Sequence, residues 1–229
     1  MAKYGKKYLK AREDVDTNSV YSLDEGISKV KDSAFARFDE SVDAHISLGI
    51  DPTKGDQVVR GSVVLPHGTG KKSVIVAFAK GDAAKKAEEA GADVVGAEEL
   101  VQKIQDGWLD FTVAVATPDM MGIVGKVAKI LGPRGLLPNK KTGTVTVDVS
   151  EVISDLKKGK VFFKNDKSGI VHLSFGRVSF DQEKLKENFT SFMKALSGSK
   201  PPAAKGKFIK KATITSTMGV GIKVNPEEL

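Results

Sequence analysis

The chain has 229 residues, 40% of them apolar, with 36 Lys+Arg against 29 Asp+Glu and no cysteine. That suffices for one large or two modest cored domains, and it excludes disulfides and thiolate metal sites. No apolar run reaches membrane-spanning length, and Met1-Ala2-Lys3-Tyr4-Gly5-Lys6-Lys7 lacks a signal peptide's apolar core, so a cytoplasmic protein with no membrane partner is expected.

The net charge of +7 is unevenly placed. Residues 1–66 carry 10 Lys+Arg against 11 Asp+Glu, residues 67–159 carry 13 against 12, and residues 160–229 carry 13 against 6. Lys3, Lys6, Lys7, Lys10 and Arg12 all precede the first acid. A basic arm and a basic C-terminal segment suit a polyanion, most often nucleic acid.

In chain order, Ser22-Leu23-Asp24-Glu25 reads as a capping box, with Leu23, Ile27, Val30 and Ala34 on one helical face. Strict alternation follows, Val42, Ala44, Ile46, Leu48 and Ile50 pointing one way, and predicts a half-buried strand. Asp51 to Asp56 turns it, and Val59 to Leu65 is expected to return as its hairpin partner. After Pro66-His67-Gly68-Thr69-Gly70 the rhythm changes. Strands are expected at 74–79, 93–95, 111–116 and 144–149, with helices at 82–90, 97–105, 118–131 and 151–158. This alternation predicts a parallel, doubly wound sheet. Beyond Lys157-Lys158-Gly159-Lys160, strands at 161–164 and 170–178 flank the turn-rich Asn165-Asp166-Lys167-Ser168-Gly169. A helix from Asp181 carries Leu185, Phe189, Phe192, Met193 and Leu196 at helical spacing, and a final hairpin ends the chain.

Each flank has too few elements to cover its own sheet. The expected fold class is therefore α/β in two domains. Residues 1–66 and 160–229 form a two-layer α/β domain from both termini, and residues 67–159 form an inserted three-layer Rossmann-like α/β/α domain on a two-strand hinge. Enzyme signatures are missing. Gly68-Thr69-Gly70-Lys71 has Leu65 where a phosphate loop needs glycine and Lys72 where it needs Ser or Thr. His45, His67 and His172 are scattered in sequence, so no metal, cofactor or catalytic residue is expected. An α/β small-molecule or nucleotide binder using the inserted domain remains the alternative.

The last strand pair, 213–225, encloses Ser216-Thr217-Met218-Gly219-Val220-Gly221. Gly219 and Gly221 are expected to supply positive φ and close backbone approach in a hydroxyl-rich turn. A plain hairpin with a glycine bulge would carry the same residues. Several longer strings add to this. Gly49-Ile50-Asp51-Pro52, Asp56-Gln57-Val58-Val59-Arg60-Gly61, Leu65-Pro66-His67-Gly68-Thr69-Gly70-Lys71, Thr117-Pro118-Asp119-Met120-Met121-Gly122, Leu131-Gly132-Pro133-Arg134-Gly135-Leu136-Leu137-Pro138-Asn139 and Thr217-Met218-Gly219 resemble the ribosomal protein L one family of the bacterial large subunit. The likeness spans essentially the whole chain.

The resemblance implies a ribonucleoprotein component, monomeric when free, in the cytoplasmic large ribosomal subunit. Its implied partners are large-subunit rRNA, the exit-site tRNA released past a mobile side stalk, and its own operon messenger RNA, which it represses. It further implies RNA contacts at Arg37, Phe38, Glu40, Ser41, Asp166, Lys167, Gly169, His172, Ser216, Thr217, Met218 and Gly219. Among these, Phe38 and Met218 could instead be core filler and Asp166 only a turn residue.

Overall fold

The computed structural model describes residues 4–17 and 19–226, so Lys3 of the basic arm lies outside the described residues. In chain order the elements are helix α1 (Lys6–Glu13), strand β1 (Val20–Tyr21), α2 (Leu23–Asp32), β2 (Ser41–Leu48), β3 (Arg60–Val64), β4 (Ile75–Phe78), α3 (Asp82–Glu89), β5 (Val94–Gly96), α4 (Glu98–Gln105) and β6 (Val113–Ala116). There follow α5 (Met121–Val124), α6 (Ala128–Leu131), α7 (Val149–Lys157), β7 (Lys160–Lys164), β8 (Ile170–Arg177), α8 (Gln182–Gly198), β9 (Ile209–Ser216) and β10 (Ile222–Val224). The chain divides into two compact units: the residues up to Gly70 with those from Val161 onward, and Lys71–Lys160 between them.

In the first unit a five-stranded sheet runs in the order β1-β10-β9-β2-β8, with β2 antiparallel to both β8 and β9. The alternation along β2 fixes its two faces. Val42, Ala44, Ile46 and Leu48 are buried, and Ser41, Asp43, His45 and Ser47 take the opposite side. Over the apolar face lie α2, contributing Leu23, Ile27 and Val30, and α8, contributing Leu185, Phe189, Phe192, Met193 and Leu196. Each large side chain taken out of water in this layer contributes about 1.5–3 kcal/mol of stabilisation. The capping box forms as read: Ser22 Oγ accepts from the Glu25 N–H, and the Glu25 carboxylate accepts from the Ser22 N–H, each at 3.4 Å.

Two strand pairings differ from expectation. The segment at 59–65 does not return on β2, because β8 and β9 already occupy both edges of that strand. Instead β3 pairs with β7 in a separate two-stranded sheet. Nor does β7 make the expected hairpin ladder with β8: it pairs with β3, and among the described residues a single bridge joins Asn165 to Val171.

The second unit holds a three-stranded parallel sheet, β5-β4-β6. Every residue of β4 is buried, so both faces are covered. Val76 and Phe78 pack with α4 and the helical segment 118–131, while α3 and α7 pack against each other and against β4. The expected strand at 144–149 reduces to one parallel bridge, Ala116 to Val145. The expected single helix at 118–131 is broken into 3₁₀ turns at Pro118–Met120 and Gly125–Val127 alternating with α5 and α6. Gly122 and Gly125, two poor helix formers within one turn, weaken the run where it breaks.

Gly49 shows how tightly β2 is joined to the strand beside it. Its N–H donates to the Phe208 carbonyl at 2.6 Å, and a Cβ there would collide with the Lys207 carbonyl oxygen. Backbone cannot yield as a side-chain tip does, so Gly49→Ala is expected to cost about 2 kcal/mol or more. Urea unfolding measures this, and an unshifted midpoint would contradict it.

Candidate nucleic-acid interface

The polar face of the five-stranded sheet is built by register. Across from Asp43 stand Ser174 on β8 and Thr215 on β9, and across from His45 stand His172 and Thr213. These pairs continue the line of Ser41 and Ser47, so one face of the sheet presents hydroxyl, imidazole and carboxylate groups. Both ends of β2 are elaborated by loops that carry the residues expected from sequence.

At the start of β2, the Glu40 side chain is 1% exposed. One carboxylate oxygen accepts from the Phe35 and Ala36 N–H groups at 3.1 and 2.8 Å, and the other from the Met218 N–H at 2.9 Å. Burial by itself would raise its pKa. The N–H bonds from Met218, Ala36 and Phe35, with the Ser216 hydroxyl nearby, outweigh that and hold the carboxyl below its usual range. Next to it the Ser41 N–H donates to Thr217 Oγ1 at 3.0 Å, and the two hydroxyl oxygens are 3.0 Å apart. The loop before β2 and the turn after β9 are thereby tied together.

That tie sets what the surface displays. Phe38 is 56% and Met218 52% exposed, so neither fills the core, and Arg37 is exposed beside them. Gly219 and Gly221 do not take positive φ, which corrects the expectation. What Gly219 provides is close approach: a Cβ there would collide with Ser216 Oγ. Glu40 and Ser216 are buried, so any contribution from their side chains passes through the groups they hold.

At the far end of β2, Asp166 shapes the loop before β8. Its Oδ1 accepts from the Ile170 and Ser168 N–H groups, both at 2.8 Å. The Ile170 bond is the largest cause holding this carboxyl below its ordinary pKa. Gly169, at φ +75°, turns the chain, and its carbonyl accepts from the Leu48 N–H at 2.9 Å. Asp166 is thus a turn residue, and Oδ2 also reaches His172 Nε2 at 3.5 Å. Lys167 is exposed at the tip.

Eleven of the twelve expected residues therefore form two groups. Arg37, Phe38, Glu40, Ser41, Ser216, Thr217, Met218 and Gly219 gather at one end of β2, and Asp166, Lys167 and Gly169 at the other, while His172 stands midway, opposite His45 and 3.5 Å from Asp166. Ser41 to Ser47 spans about 20 Å at the usual strand rise. They share a face without sharing a contact. Asp43, His45, Thr213 and Thr215 bridge the gap and were not among the RNA contacts expected from sequence. The period-two polar pattern at 41–47 and 211–217 is the signal that could have found them.

The residues at both ends lie within a segment, 30–220, that matches the ribosomal protein L1p/L10e family. The chain belongs to that family. As an L1p/L10e protein it is a ribosomal, rRNA-binding protein, of a family whose members are not enzymes. Among the described residues, no helix is long and apolar enough to cross a membrane.

In this L1p/L10e chain the Glu40 carboxylate gives the site a pH dependence. Its folded pKa lies below its ordinary value of 4.5, so its stabilisation is fully present above that value and is lost as pH falls through the lower folded one. Glu40→Gln, which turns an amide N–H toward a backbone N–H, is expected to cost about 2–3 kcal/mol at neutral pH. The gap to wild type should begin to narrow below about pH 4.5 and close once the pH is below the lower folded value. Denaturant titrations across pH measure both, and a gap that persists unchanged into acid would refute the assignment.

Proposed function

We propose that this protein forms the mobile side stalk of a bacterial large ribosomal subunit, in the cytoplasm. Residues 1–66 and 160–229 act as the rRNA-binding domain. Residues 67–159 are an inserted domain that moves on its hinge with the stalk as deacylated tRNA leaves the exit site. The same surface binds a similar element in the operon's own messenger RNA and represses its translation. The observation that carries this reading is the Glu40–Met218 and Ser41–Thr217 bonding, which fixes Phe38 and Met218 as exposed apolar side chains beside a row of hydroxyls.

The chemistry suits structured RNA. Hydroxyls can donate to and accept from ribose 2′-OH groups, exposed rings and thioethers can cover an unstacked base, and Arg37 and Lys167 can neutralise phosphate. A pre-bonded surface needs little ordering on binding, so more of each contact survives as affinity.

Thr217→Val keeps the shape and removes the hydroxyl. We expect it to weaken binding to a large-subunit rRNA fragment by about 1–3 kcal/mol, with the melting temperature recorded alongside. Equal affinity in a calorimetric titration would overturn the role. Lys167→Ala should lower the slope of log K against log salt by about one phosphate's worth. An unchanged slope would remove Lys167 from the contact.

A further inference from the structure

His45 and His172 are 127 residues apart in sequence and directly opposite each other on β2 and β8. Their Nδ1 atoms approach to 2.8 Å, and the ring planes are inclined by 64°. Only one of two nitrogens at that distance can carry the proton between them. His172 turns Nε2 toward the Asp166 carboxylate at 3.5 Å, which favours the proton on Nε2 and leaves Nδ1 as a lone pair. His45 then donates from Nδ1.

We propose that His45 Nδ1 and His172 Nδ1 form a two-point chelate for a divalent transition metal of the zinc, nickel or copper type. Imidazole nitrogen suits these ions, whereas magnesium prefers oxygen. A zinc ion about 2.0–2.1 Å from each nitrogen would need the pair to open to only about 3.3 Å in tetrahedral geometry. His45 passes its Nδ1 proton to solvent and takes one up at Nε2, so both rings stay neutral and both Nδ1 lone pairs face the ion. The Asp166 carboxylate behind His172 is the outer partner that orients a metal-binding imidazole.

The neighbouring groups agree with this. Thr213 lies across from His45 on the other side, and Asp43 lies two residues before it on the same face. Among the described residues no third His, Asp or Glu completes a set of three. The remaining coordination positions are therefore left to water or to an outside ligand.

Titration of the untagged full chain with zinc or nickel at pH 7.5, with magnesium as control, tests the proposal. We expect saturable one-to-one binding of zinc and nickel, reversal by chelator, and no magnesium signal. His45→Gln and His172→Gln should each abolish binding, and His67→Gln, whose ring bonds Glu187 elsewhere, should retain it. Nitrogen NMR on the wild-type chain should show Nδ1 of both His45 and His172 shifting on zinc addition, a readout independent of how the variants fold. Zinc binding undiminished in His45→Gln, or Nδ1 signals unmoved at millimolar zinc, would overturn the chelate.

Discussion

The buried carboxylate of Glu40 holds together two parts of the chain that sequence keeps 178 residues apart. On one side it accepts from the loop before β2, on the other from the turn after β9. A charge this deeply buried is tolerated only when hydrogen bonds replace its lost water, and three N–H groups do so here. Remove the acceptor and those N–H groups are left unsatisfied. Without that joint, neither loop has a fixed partner, and Phe38 and Met218 have no fixed relation to each other.

Function at such a surface follows from what is rigid. The apolar half of the sheet is committed to α2 and α8, which leaves the polar half as a platform whose side chains are placed by strand register. Each end of β2 is stiffened differently: by a carboxylate gripping two segments at its start, and by an Asp166 turn with a glycine at its finish. The result is a long polar stripe, suited to following a folded polyanion over about 20 Å. The two histidines meet midway along it, where register alone brings their nitrogens within hydrogen-bond distance.

Much of this was legible in the residues. Alternation from Val42 to Leu48 identified the central strand and its buried face, since every second side chain must share a side. Helical spacing from Leu185 to Leu196 identified the helix that covers it, and the Ser22–Glu25 pair located a helix start from local chemistry. The strands and helices of 71–131 could be read because short apolar strands buried on both faces alternate with amphipathic runs. The Gly122 and Gly125 breaks and the failed strand at 144–149 were less legible, because weak local propensity is settled by packing.

By itself, then, the amino-acid order determined most of the elements outside 118–149, their buried faces and the chemical character of the exposed residues, because these depend on neighbours within a few positions. Tertiary structure alone decided which strands pair, which is why β3 went to β7 and left both edges of β2 to β8 and β9. It also decided that Glu40 would be buried, that Gly219 would serve close approach in place of positive φ, and that His45 would meet His172. Each of these depends on contacts between residues more than a hundred positions apart or on a packed neighbour's volume, and no local pattern encodes either.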